Sequence, residues 1–282
     1  MRNRKFEVTP SGGGAGAFVD GVDLSLGLSK DAVKKIRAAL GEYGVVFFRD
    51  QTLSPEQHIS MAKQFGAINI NRFFATVDGH PNIAEVRKEP TQAANIGGSW
   101  HTDHSYDLEP AMGSILVARE TPSRGGDTLF ASMFAAYDSL SEGVKKVLES
   151  LQAWHSSRHA FGDTTRIKSA GLDDRYGNPE LAKQDSLHPI VIKHPISGRK
   201  ALYVNPGFTI GVDGWHQNES DALLQMLYQH AARPEHTFRF QWQPGSVAFW
   251  DNRASWHYAL NDYSGERRIM HRITIDGCAL AA

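Results

Sequence analysis

Ser246-Val-Ala-Phe-Trp-Asp-Asn-Arg253, then His257, then Arg267-Arg-Ile-Met-His-Arg-Ile-Thr-Ile-Asp276, is the part of the chain that settles what it folds into. Side chains of a strand alternate faces, so the last segment sets Arg268, Met270, Arg272 and Thr274 on one face and Ile269, His271, Ile273 and Ile275 on the other. Two arginines on an apolar strand are costly to bury unless paired, and a guanidinium fork suits a carboxylate held at two points. Arg268 or Arg272 therefore suits the far carboxylate of a dicarboxylate, with a structural ion pair as the alternative. Further strands are expected at Val45–Arg49, Ser114–Arg119, Thr128–Ser132, Ile190–Lys193, Ala201–Val204, Phe238–Trp242 and Ser246–Trp250, with Gln243-Pro-Gly245 as a tight turn. Helices are expected from Ser29, from Ser54-Pro55 with Gln57 completing a capping box, from Ser141 with a Val144, Val147, Leu148, Leu151 stripe, and over Asn218–Arg233. Many short strands with a few helices predict a mainly β protein with helical cover, a sandwich or jelly roll.

Upstream stands His101-Thr102-Asp103. On a strand the first and third of these residues point the same way, so His101 and Asp103 reach one ion together, and His257 closes the triangle. Two imidazoles and one carboxylate on one side of a metal leave its other side open, which suits Fe(II) binding O2 beside a chelating cosubstrate. A zinc hydrolase uses similar ligands with a bound water, and a non-catalytic metal- or ligand-binding jelly roll is a third reading.

Trp100-His-Thr-Asp103, Gly125-Gly-Asp-Thr-Leu-Phe130, His194 to Asn205, Trp250-Asp-Asn-Arg253 with His257, and Arg267 to Arg272 come in an order and spacing that resemble the taurine dioxygenase and phenoxyacetate dioxygenase family of Fe(II)/2-oxoglutarate-dependent oxygenases. The resemblance runs from about Phe18 to Gly277. It implies a distorted double-stranded β-helix, iron ligands His101, Asp103 and His257, and 2-oxoglutarate held by Thr128, Arg268 and Arg272, with Arg272 also near the substrate anion. It implies O2 as a second cosubstrate, succinate and CO2 as products, and a homodimer or tetramer. Taurine-using relatives carry a histidine and a tyrosine where Asn71 and Phe74 stand here. Together with Phe73 and the family-matched Phe208, that departure favours a larger or more apolar small organic anion: an aryloxyalkanoate, an alkyl sulfate or a longer sulfonate. Hydroxylation beside the heteroatom would then release the heteroatom group.

The 282 residues are 41% hydrophobic and suit one domain spanning 1–282. Thirty basic and 31 acidic residues are well mixed, which argues against a nucleic-acid partner. Cys278 is the only cysteine, no apolar leader follows Met1, and no apolar run approaches a membrane span, so a cytoplasmic protein without membrane association is expected. Ser11-Gly-Gly-Gly-Ala-Gly16 lacks the lysine and helix of a phosphate loop and reads as a turn. The connections 73–98 and 158–186 read as loops, at least the first of them bordering substrate. His104 and His271 face away from their functional neighbours, Trp100 and Trp256 read as packing beside ligands, and His155, Arg158 and His159 are split between surface charge and an anion contact.

Overall fold

The computed structural model describes residues 5–172 and 175–282, apart from the Arg166 side chain. Its largest sheet runs Glu7–Pro10, Ala17–Asp20, Val45–Phe48, Val247–Asp251, Gly113–Glu120, Arg268–Ile275, His80–Lys88 and Thr76–Val77, with Ile68–Asn69 also paired to Arg268–Ile275. A second sheet of Thr237–Phe240, Thr128–Ser132 and Ser255–Ala259 faces it.

Alternation along the strands explains why the sheets pack together. Val45, Phe47, Leu116, Ala248, Trp250 and Met270 from the large sheet share one buried cluster with Phe130 and Phe240 from the small one. Phe47 and Phe240 stack across the gap with ring centroids 4.2 Å apart. The opposite face of the large sheet carries Val46, Phe48, Ile115, Val117, Val247 and Ile273, and buries them against Ile36, Leu40, Met61 and Phe65. Apolar residues on both faces are what a sheet covered on both sides requires. The result is the expected jelly roll with helical cover. No helix among the described residues is long and apolar enough to cross a membrane.

Local signals set the helices. Ser29 accepts a hydrogen bond from the Ala32 amide to start Lys30–Tyr43, and Gly44, at φ 73°, ends it in the left-handed conformation. Pro55–Lys63 opens with the Ser54/Gln57 capping box. The helix expected over Asn218–Arg233 is observed as Gln217–Ala231. The one after Ser141 is shorter than its stripe suggested: it spans Glu142–Leu148, with Leu148 buried but Val147 exposed.

All the expected strands are present, several with ends shifted by one or two residues, and Thr128–Ser132 and Arg268–Ile275 match throughout. Others carried too little signal to be expected. Gln152–Ser156, Asp185–Pro189 and Thr209–Val212 form a separate small sheet, and Ser255–Ala259 follows Val247–Asp251 through a tight turn. The connection 73–98 is not all loop, since it contains the strand His80–Lys88. Pro81 near its start and the charged Glu85, Arg87 and Lys88 hide that strand from a hydrophobicity reading.

Candidate metal centre and its cavity

Backbone pairing brings the two distant histidines together. His101 and His257 form an isolated antiparallel bridge in which each amide donates to the other's carbonyl, at 3.2 and 2.8 Å. The expectation that His101-Thr-Asp103 lies on a strand is corrected: after that bridge the chain turns, and His104 adopts φ 60°. Asp103 is held in place because Thr102 donates to the Asn252 carbonyl at 2.5 Å and Ser114 donates to Asp103 Oδ2 at 3.1 Å. A turn tied down from both sides does what strand alternation was expected to do.

Ligand atoms of His101, Asp103 and His257 lie within 4.8 Å of one another. With its Nδ1 proton donated to the Ser99 carbonyl at 2.7 Å, neutral His101 keeps the lone pair on Nε2. The Nε2 atoms of His101 and His257 stand 3.9 and 3.8 Å from the two Asp103 oxygens. Burial lowers the proton affinity of both histidines, and for His257 the neighbouring His101 adds to the effect. Burial works against an ionised Asp103, yet Arg272 and the two imidazoles outweigh it and hold the carboxyl well below the usual range. Neutral imidazoles and an ionised carboxylate are the protonation states that a divalent cation needs, so the donor set fits a metal ion.

Both arginines of the terminal strand are buried on the same face, as their spacing predicted. Arg268 donates from Nε to the Gly126 carbonyl at 3.1 Å, but its buried Nη2 has no hydrogen-bond partner among the described residues. Arg272 contacts Asp103 at 3.2 Å, lies 4.6 Å from the Phe74 ring centroid, and has a buried Nε equally without a partner among those residues. Buried guanidinium N–H groups left unpaired are destabilising, and an anionic ligand satisfies them. Thr128 accepts from Trp242 Nε1 at 2.9 Å, which leaves its hydroxyl hydrogen for another acceptor.

Thr128, Arg268, Arg272, Asn71, Phe74 and Phe208 line one cavity of about 470 Å³ together with His101, Asp103 and His257. Asn71 borders it, but its Oδ1 accepts from the Phe73 and Phe74 amides at 2.9 and 3.0 Å and so shapes the turn that presents Phe74. Phe73 is buried and stacked on Phe161, with ring centroids 4.2 Å apart, while Phe74 faces the cavity. His104 was expected to face away, yet its left-handed backbone turns it back to border the cavity, with Nδ1 on Asp107 at 2.9 Å. His271 does lie outside it and accepts from Arg119 Nε at 3.0 Å, and His155 is sealed against Tyr203. Arg158 pairs with Asp185 at 2.8 Å, whereas His159 lines the cavity with its Nε2 on the Gly207 carbonyl. Trp256 is buried, donates to the Val204 carbonyl and packs near Trp100, in keeping with a packing role for both.

Several lining residues were not singled out in the sequence: Asn95, Tyr106, Phe161, Ile167, Leu172 and Tyr176. Most lie on the two connections read as loops, so both connections border the cavity. Apolar residues without a period carry no sequence signal for lining a site. The aromatic residues within those connections were the one hint.

A 2-His-1-carboxylate group at one end of a jelly roll, with buried unpaired arginines beside it, defines the oxygenase class of this fold. The chain belongs to the taurine catabolism dioxygenase TauD, TfdA family, whose model matches residues 7–274, and is a 2-oxoglutarate-dependent dioxygenase. It is 36% identical to an alkylsulfatase of Acinetobacter baylyi over 94% of this chain and 83% of the relative. It is 35% identical to an alpha-ketoglutarate-dependent sulfate ester dioxygenase of Pseudomonas putida, over 97% of this chain and 90% of the other. A solved taurine dioxygenase from Burkholderia xenovorans superposes with a TM-score of 0.82 at 36% identity, covering 98% of this chain and 93% of that one.

Proposed function

We propose that the protein uses Fe(II) and 2-oxoglutarate to cleave sulfate esters carrying an apolar organic group. The observation that carries this reading is Arg272: a buried cation with an unpaired Nε, beside the metal group and capped by the Phe74 ring. An anionic head satisfies that cation while the aromatic wall receives an apolar body. The likeness to the alkylsulfatase and to the sulfate ester dioxygenase supports the choice of head group.

His101, Asp103 and His257 would hold the iron, and Arg268 with Thr128 would take the far carboxylate of 2-oxoglutarate. Bound there with O2, these groups supply the oxidant for C–H hydroxylation and leave succinate and CO2. Arg272 orients the sulfate so that the carbon bearing the ester oxygen faces the metal side. Hydroxylation at that carbon gives a hemiacetal-like sulfate, whose C–O bond to the sulfate breaks as the new hydroxyl loses its proton, yielding an aldehyde and hydrogen sulfate. The aromatic walls exclude water from the reacting carbon. On the same reading the enzyme is a single-domain homo-oligomer, as the family resemblance implies, working in the cytoplasm without nucleic acid or membrane, as its mixed charge and lone cysteine support.

The test is succinate formation from 2-oxoglutarate, with and without Fe(II), across alkyl sulfates, taurine, longer sulfonates and phenoxyalkanoates. Iron-dependent succinate stimulated most by alkyl sulfates is expected. Stimulation mainly by phenoxyalkanoates or sulfonates reassigns the head group, and sulfate release without O2 overturns oxidative cleavage in favour of hydrolysis.

A further inference from the structure

Resting on the sulfate-ester reading, we propose that the segment Ile167–Leu172 forms the outer wall of a tail subsite and sets the length of apolar chain that the subsite shelters. The cavity lining combines the metal group and two arginines with a row of aromatic rings and with Ile167, Ala170 and Leu172. Phe74 stands between Arg272, at 4.6 Å, and Tyr176, at 5.0 Å. Phe208 stands between His101, at 6.5 Å, and Phe161, at 5.8 Å. Next to Tyr176 along the chain, the lining continues with Ile167, on the short helix Thr164–Ser169, and with Ala170 and Leu172 just after it.

This segment folds on itself and hangs from the rim. The Leu172 amide donates to the Ile167 carbonyl at 3.0 Å, and the Tyr176 amide donates to the Leu172 carbonyl at 3.1 Å. Further along the chain, Arg175 donates to the Ala94 carbonyl at 2.8 Å and the Gly177 amide donates to the Phe73 carbonyl at 2.9 Å. The side chains of Ile167, Ala170 and Leu172 are apolar and line the cavity. Ile167 is buried, Leu172 half-buried and Ala170 exposed, so the wall grades from interior to solvent. A methyl group at Ala170 leaves the outer end open, and an alkyl chain threaded past the aromatic rings ends there. Affinity should rise with each methylene until the chain reaches that opening, then level off.

Affinity is measured anaerobically, with Mn(II) and 2-oxoglutarate bound, by calorimetric titration of linear alkyl sulfates from ethyl to dodecyl, with alkyl sulfonates and carboxylates in parallel. Each buried methylene is expected to tighten binding by about fourfold. In Ala170→Phe the plateau should arrive at a shorter chain, and in Leu172→Ala at a longer one. The quantity compared is the ratio of long-chain to short-chain affinity within each variant, which a general loss of folding does not imitate. Chain-length profiles of both variants that superimpose on the wild type overturn the proposal, as does an affinity indifferent to length or an absence of binding by every anion. Length dependence that shifts in the variants for sulfonates or carboxylates, with sulfates unbound, upholds the tail subsite and removes the sulfate-ester reading instead.

Discussion

Asp103 has the most demanding position in the molecule: buried, ionised, touched by Arg272 and Ser114, and facing two imidazoles. Asp103→Ala is expected to abolish iron-dependent turnover, and iron content after reconstitution separates loss of metal from loss of fold. Arg268 carries a different duty. Removing its charge-assisted contacts in Arg268→Ala should raise the 2-oxoglutarate requirement by about 10- to 100-fold, for the loss of roughly 1.5–3 kcal/mol. The substrate KM should move much less, and the reverse pattern in steady-state kinetics would reassign the arginine. These residues were legible in the sequence because a metal needs particular side chains and a buried arginine needs a reason. Ile167, Leu172 and Tyr176 were not legible, since scattered apolar residues on a short helix and the turns after it look alike whether they pack a core or line a cavity.

Strands and helices with a clear period announced themselves, and their caps fixed where they start. Ser54→Ala removes a side chain that closes one half of a capping box. It should cost about 1 kcal/mol, seen as a fall of roughly 2–4 °C in Tm. An unchanged Tm would show that tertiary packing alone holds that helix. Where the sequence misled, the cause was local geometry. His101 and Asp103 share a side because a turn follows a lone bridge, an arrangement that strand alternation happens to imitate at a spacing of two. Gly207 shows how closely this turn is packed: a Cβ there would stand 2.7 Å from the His101 Cβ. Gly207→Ala is accordingly expected to weaken metal affinity by about 10-fold or more with the far-UV spectrum unchanged, and an unaltered metal titration would contradict it.

Beneath the large sheet, burial holds His58 neutral, its pKa lowered to about 3, and burial with the nearby Arg119 lowers that of His271 to about 4. In the unfolded chain both titrate near 6.5. The unfolded state therefore binds more protons as pH falls below about 6.5, and the stability these residues contribute above that value is lost progressively toward pH 4. Tm measured from pH 7.5 to 5 should decline, and His271→Gln should make the decline shallower. A Tm independent of pH across that range would show that other groups offset the two histidines. Across the molecule the family frame was readable because five motifs follow one another in a fixed order, and four of them contribute residues to the one cavity. The order of strands was not readable, because neighbours in the sheet lie far apart in the chain. Arg268–Ile275 inserts between Gly113–Glu120 and His80–Lys88, and His257 pairs with His101. A ribosome must therefore have delivered the polypeptide through residue 275 before the sheet can close, and no stretch ending before His257 holds a complete set of ligands. Chains that stop short of His257 thus lack a complete iron site, and folding waits on its slowest, longest-range contacts.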